Sequence, residues 1–172
     1  MQRYFLTETV ATTAGTQFEL TGESVHHWLK VMRAQPGDEA EFVTLNQQVV
    51  IGKLASSTAT TAMVTVVAVT QPNVELPLEV VIACGVSKGD KTEQIVQRGT
   101  ELGAAGFVFF DSQYAVAKWA PNKRDRKLTR LAKIAQGAAE QSHRTVIPTV
   151  DYQPNLSTLI QQVPHDAGVV AW

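Results

Sequence analysis

The sequence predicts an α/β protein that begins with a β-barrel. Three observations carry this. Segments rich in Val, Thr and Ile crowd the first seventy residues around a single helical stretch. A proline-bearing break with no periodicity follows, Gln71-Pro72-Asn73-Val74-Glu75-Leu76-Pro77. Beyond it, continuous apolar runs alternate with segments of helical period, the pattern of a mainly parallel sheet with helices. The expected organisation is a β-barrel over 1–70, a linker over 71–77 and an α/β domain over 78–172.

In the first region, Arg3–Leu6, Thr16–Leu20, Glu39–Leu45, Gln48–Ala55 and Thr61–Val69 read as strands, the last three separated by turn-forming Asn46-Gln47 and Ser56-Ser57. Val25, Trp28, Leu29 and Met32 recur at i, i+3, i+4 and i+7, the apolar face of a helix ending near Arg33. Pro36-Gly37-Asp38 then turns the chain. Several strands in so short a span favour a closed sheet, because closure removes exposed edges. In the second region, Leu78–Cys84 reads as a strand covered on both faces. Asp90 is the expected N-cap of the next helix, with Glu93 completing a capping box, and Gly103 ends it in the left-handed conformation. Phe107–Phe110 is a second buried strand. A helix from about Arg124 to Ser142 buries Leu128, Leu131, Ala135 and Ala138. Val146–Val150 is expected as a strand, Leu156–Val163 as a helix and Gly168–Trp172 as a final strand.

Composition narrows the class. At 172 residues and 44% hydrophobic, the chain has the material for a packed core. No apolar run approaches the roughly 20 residues of a bilayer-spanning helix, so no membrane role is expected. The N-terminus has no apolar stretch of signal-peptide length, and one cysteine, Cys84, makes no internal disulfide. A cytoplasmic protein without a metal site is the expectation. Fifteen basic residues against 16 acidic ones suggest no polyanion partner, but their distribution does. Residues 118–144 hold eight basic side chains and only Asp125 and Glu140 as acids. Local potential, rather than net charge, attracts a polyanion.

Three groups of residues have chemistry to offer. Ser87-Lys88-Gly89-Asp90-Lys91 lies at the carboxyl end of a strand, the edge at which open α/β sheets bind ligands. Lys88 and Lys91 suit phosphate as point charges, yet the loop equally reads as a solvated connection. No Gly-x-Gly-x-x-Gly or Gly-Lys-Ser/Thr motif supports a nucleotide fold. Lys123, Arg126, Arg130 and Lys133 share one helix face, read either as solvated charge or as a row that grips RNA backbone in a salt-sensitive, sequence-blind way. Glu140-Gln141-Ser142-His143-Arg144 clusters amide, acid and guanidinium at a helix end. Such groups bind a base edge or a phosphate, although Glu140 and Arg144 equally pair along the helix. Trp119, beside Lys118, is read as packing or as a stacking platform. Cys84 is read as inert core.

Together, Arg3-Tyr4-Phe5, the His27…Val31-Met32-Arg33…Pro36-Gly37-Asp38 segment, Lys88-Gly89-Asp90-Lys91…Glu101-Leu102-Gly103 and Ala139-Glu140-Gln141-Ser142-His143-Arg144 resemble the RsmE family of 16S ribosomal RNA uridine-N3 methyltransferases. The resemblance implies a PUA-like RNA-binding barrel, a SPOUT-type domain that binds S-adenosylmethionine through a knotted C-terminal part, and a homodimer. It implies 16S ribosomal RNA or the small ribosomal subunit as partner. Two departures matter. Ser112-Gln113-Tyr114-Ala115-Val116 lacks the family's arginine, and the Gly-Pro-Glu-Gly-Gly and later segments of the cofactor knot are absent. The expectation is therefore a chain cut short within an incomplete SPOUT domain, inactive alone and without cofactor-binding residues of its own.

On this reading Arg3, Lys30 and Arg33, with the basic helix, hold RNA backbone. Lys88, Lys91, Glu140, Gln141 and Arg144 line the approach to the base, and Glu140 is the candidate for taking the N3 proton. The competing readings are a non-catalytic RNA-binding module and an α/β enzyme acting on a small phosphorylated metabolite through the Lys88–Lys91 loop.

Overall fold

A computed structural model describes residues 1–113, 117–164 and 166–170. The chain divides into two compact units, Met1–Glu75 with Glu140–Val146, and Leu76–Ala139 with Ile147–Trp172.

The first unit is a curled half-barrel. Its strands β1 (Arg3–Phe5), β2 (Gln17–Leu20), β3 (Glu39–Val43), β4 (Val49–Ser57) and β5 (Ala62–Thr70) form one sheet in the order β1-β3-β4-β5-β2. The β1–β3 pair is parallel and the others antiparallel. Register shifts between Ile51 and Gly52 and between Leu54 and Ser56 bend the β4–β5 ladder, as an inserted residue does. Alternate side chains then converge on one core of Tyr4, Phe18, Leu20, Trp28, Phe42, Val50, Leu54 and Val64. Gly52 makes the tightest approach: a Cβ there would collide with Val64 and Phe42.

The expected single helix is in fact two pieces, α1 (Gly22–His26) and a π turn at His27–Val31. The Met32 amide donates to the His27 carbonyl, five residues back, at 2.9 Å. This wider turn rotates the residues after it out of the 3.6-residue register. Val25 and Trp28 stay buried, but Met32, expected on the apolar face, is 51% exposed.

The second unit is built on a three-stranded, all-parallel sheet in the order β6-β7-β8, from β6 (Val81–Gly85), β7 (Gly106–Phe110) and β8 (Thr149–Gln153). Helices α2 (Lys91–Glu101), α3 (Pro121–Gln141) and α4 (Leu156–Gln162) connect and follow them. Phe107 and Phe109, with Ile82, Cys84, Val150 and Tyr152, pack with Val96 of α2 and Leu131 and Ala135 of α3. Gly99 sets the spacing of α2 over the sheet, since a Cβ on it would lie 2.5 Å from Phe107 Cε1 and 2.9 Å from Ile82 Cδ1.

Several expectations are corrected here. β6 starts at Val81 rather than Leu78 and is not covered on both faces, for Val81 and Ala83 are exposed while the interleaved Ile82 and Cys84 turn to the core. Asp90 is the N-cap residue of α2 as expected, and its carbonyl accepts the Gln94 amide at 3.0 Å, but the capping box is not formed because the Asp90 side chain caps no amide. Its carboxylate accepts from Gln94 Nε2 at 2.8 Å, and Glu93 pairs with Arg130. β8 begins at Thr149, three residues later than expected. Gly168–Val170 are exposed and outside any strand, and Ala171 and Trp172 fall outside the described residues. Gly103 does take a positive φ, 97°, at the end of α2, with Leu76 packed where a Cβ would stand.

Candidate functional site

In the first unit, residues 140–144 of the Ala139-Glu140-Gln141-Ser142-His143-Arg144 motif have a structural task. Residues 140–146 are held to it by two buried arginines. Arg144 is 5% exposed and donates through both Nε and Nη2 to Glu75 Oε2. The other oxygen of Glu75 accepts the Thr145 amide at 2.8 Å, the Val146 amide at 3.1 Å and the Thr145 hydroxyl at 3.2 Å. Burial alone would push the Glu75 carboxyl up, but hydrogen bonds from Arg144 and Thr145 and the arginine's charge outweigh it, holding the carboxyl below its ordinary value. Arg3, also buried, gives Nε to Glu41 at 2.8 Å and Nη1 to the carbonyls of His143 (2.6 Å) and Arg144 (3.0 Å). Glu41 also meets His143 Nδ1 at 2.9 Å. Its carboxyl too sits low, because the Arg3 and His143 contacts overcome burial.

Arg3 and Arg144 therefore present no free guanidinium to a phosphate, contrary to the sequence expectation. A buried arginine must be paired, and each has found a carboxylate in the same unit. Glu140 is half-buried at the end of α3; burial, and then its charge, push the Tyr4 phenol far up. That phenol meets His27 Nδ1 at 3.0 Å. Gln141, Lys30 and Arg33 of this unit are exposed.

The remaining candidates lie in the second unit. Lys88 and Lys91 are exposed on the loop after β6, where Ser87 Oγ and Thr92 Oγ1 meet at 3.2 Å. Lys123, Arg126, Arg130 and Lys133 fall on the solvent face of α3, all exposed. Arg130 is also paired with Glu93 at 2.9 Å, which trims the row's net field. Sequence reasoning missed a cluster behind this row. Trp119 is buried between Phe109 and a stacked Tyr152, and the Arg124 guanidinium lies 3.9 Å from the Tyr152 ring centroid. Trp119 is thus packing, not a platform open to a base. Burial and then Asp111 raise the Tyr152 phenol, with Arg124 opposing. Arg124 and Tyr152 lie 28 residues apart in sequence, so no local spacing signals their contact.

Among the described residues there is no grouping of side chains suited to a metal ion. At the carboxyl edge of the sheet, Lys88, Gly89 and Asp90 stand in solvent.

Comparison with known proteins places this α/β chain among RNA methyltransferases. Residues 74–172 match the family model described as an RNA methyltransferase domain. Ribosomal RNA small subunit methyltransferase E of Bacillus subtilis is 40% identical over 175 residues, covering 100% of this chain and 68% of that protein. The chain belongs to the ribosomal RNA small subunit methyltransferase E family. A crystal structure described as a hypothetical protein superposes with TM-score 0.85 at 38% identity, covering 94% of this chain and 66% of the other. The Neisseria gonorrhoeae enzyme of the same name, solved bound to S-adenosyl methionine, shares the fold with TM-score 0.82 at 20% identity, covering 95% and 66%. The chain thus spans about two thirds of the length of these relatives.

Proposed function

We propose that this chain is the RNA-holding portion of an enzyme that methylates N3 of a uridine in 16S ribosomal RNA, with S-adenosylmethionine as donor. The observation that carries the reading is the 40% identity, across the whole chain, to a ribosomal RNA small subunit methyltransferase. The donor supplies an activated methyl group, so the protein's contribution is alignment of the base and exclusion of competing geometries. The half-barrel acts as a PUA-like RNA-binding unit and the parallel layer as the first part of a SPOUT-type domain. The protein acts in the cytoplasm on the small ribosomal subunit, as a homodimer. Lys123, Arg126, Arg130 and Lys133 contact backbone phosphates, each adding affinity that falls with salt. Lys30, Arg33, Lys88, Lys91 and Gln141 supply further contacts. Arg3 and Arg144 act indirectly, by holding residues 140–146 in place.

Two measurements test this. A 16S ribosomal RNA transcript is titrated against the chain and against a Lys123→Glu/Arg126→Glu variant at several salt concentrations. The variant should bind more weakly and with a shallower salt dependence; identical curves would remove the helix from RNA binding. Calorimetric titration of the chain with S-adenosylmethionine should show no saturable heat, because Lys88, Gly89 and Asp90 at the carboxyl edge of the sheet stand in solvent, and a clear isotherm would overturn that reading.

A further inference from the structure

Two large apolar side chains stand exposed in succession at the end of the π turn, Val31 at 58% and Met32 at 51%. The five-residue hydrogen bond from Met32 to His27 turns Met32 off the buried face that carries Val25 and Trp28, while Val31 lies off that face even at the ordinary helical period. Exposed Lys30 precedes them and exposed Arg33 follows. Arg33 has a left-handed backbone, φ 57°, and its neighbour Ala34 closes the turn by donating to the Trp28 carbonyl at 3.1 Å. Glycine closes such a turn without strain, so the turn alone does not call for an arginine. Between Glu23 and Asp38 there is no acidic residue, and Asp38 itself is engaged by the Gln35 amide at 2.8 Å. The surface is therefore apolar at its centre and cationic at both sides.

We propose that Val31 and Met32 form an apolar step that packs against the face of an unstacked ribosomal RNA base while Lys30 and Arg33 hold the flanking phosphates. This deepens the RNA-binding reading above and rests on it. Charge complementarity selects the occupant: single-stranded RNA offers a flat apolar face between two anions, and proteins read it by covering the first and pairing the second. Methionine suits the contact, being polarizable and able to conform to a ring. The two pairs of side chains contribute in different ways, and this makes them separable. Loss of the apolar step weakens binding equally at all salt concentrations, whereas loss of the cations flattens the salt dependence.

The test compares the chain with Val31→Ser/Met32→Ser and Lys30→Ala/Arg33→Ala variants, titrated with a 16S ribosomal RNA transcript at four salt concentrations. All four positions are exposed, and an unchanged thermal midpoint confirms folding. The apolar variant should lose about five-fold in affinity at every salt concentration, the effect of about 40 Å² of lost apolar contact, with its slope unchanged. The cationic variant should lose about 1.4 units of slope, as expected for two phosphates on a single strand. An apolar variant that binds like the parent overturns the step while leaving RNA binding intact. A parent that binds no RNA overturns both. Sedimentation provides the last outcome: if the parent self-associates and the apolar variant does not, the patch is a protein contact and the base-packing assignment falls.

Discussion

Replacing Glu75 with alanine should loosen residues 140–146 from the first unit, by an amount the geometry allows to be worked out. The carboxylate serves Arg144 through two guanidinium nitrogens and closes off two backbone amides and a hydroxyl at Thr145 and Val146. Its side chain is 23% exposed and that of Arg144 only 6%, so the variant strands a mostly buried cation. Breaking a buried pair from one side costs about 3 to 5 kcal/mol. Partial solvation of the glutamate places the expectation at the low end, about 3 kcal/mol. Hydrogen exchange reads this directly, because Thr145 and Val146 lose their amide acceptor. Their exchange should accelerate by about two orders of magnitude, with the amides of β7 in the second unit unchanged. Glu75→Gln retains one carbonyl acceptor and should fall between. Amides at 145 and 146 that keep their protection in the alanine variant would refute the assignment of Glu75 as the anchor.

Two further outcomes follow from the same structure. Glu75 and Glu41 both have carboxyls held below their ordinary value of 4.5. Their stabilising contribution is thus complete above about pH 4.5 and is lost as pH falls through the lower folded values. The denaturant midpoint of the first unit should be level at mildly acidic pH and drop below about pH 4.5, and Glu75→Ala should reduce that drop; an equal drop in the variant would contradict the coupling. Gly99→Ala should destabilise the second unit by about 1 to 3 kcal/mol, because the added methyl would lie 2.5 Å from the Phe107 ring and 2.9 Å from Ile82, both side chains of the packed core. A urea midpoint equal to the parent's would show that α2 shifts without penalty.

The elements were legible where periodicity and burial agree. The alternation of Phe42, Val50, Val64 and their neighbours marks the half-barrel strands, and Phe107–Phe110 marks the central strand of the parallel sheet, buried through Phe109. What escaped was geometry that residue spacing does not encode. A 3.6-residue count places Met32 beside Val25, and only the hydrogen-bond shift at His27 moves it outward. Likewise Asp90 and Glu93 have the spacing of a capping box, but Gln94 and Arg130 compete for their carboxylates and win. Arg130 lies 37 residues from Glu93, so no local motif could reveal the competition.

The candidate site divides along the same line. The row on α3 was readable because Lys123, Arg126, Arg130 and Lys133 depend only on helix phase, and all four reach solvent. The Glu140–Arg144 motif was not, because its chemistry is decided by distant partners. Glu75 lies in the segment read as a linker, yet it is the acid that takes Arg144 and the amides after it. A guanidinium near a helix end is compatible with a phosphate or with a carboxylate, and sequence cannot rank the two. Burial can: at 5% exposure Arg144 is too desolvated to exchange Glu75 for an RNA phosphate without first opening the segment around it. The motif that most strongly suggests RNA recognition is therefore better explained as the anchor that fixes residues 140–146 within the first unit. Under the proposed RNA-binding role, contacts to phosphate then fall to cations that remain in water, Lys123 and Arg126 among them.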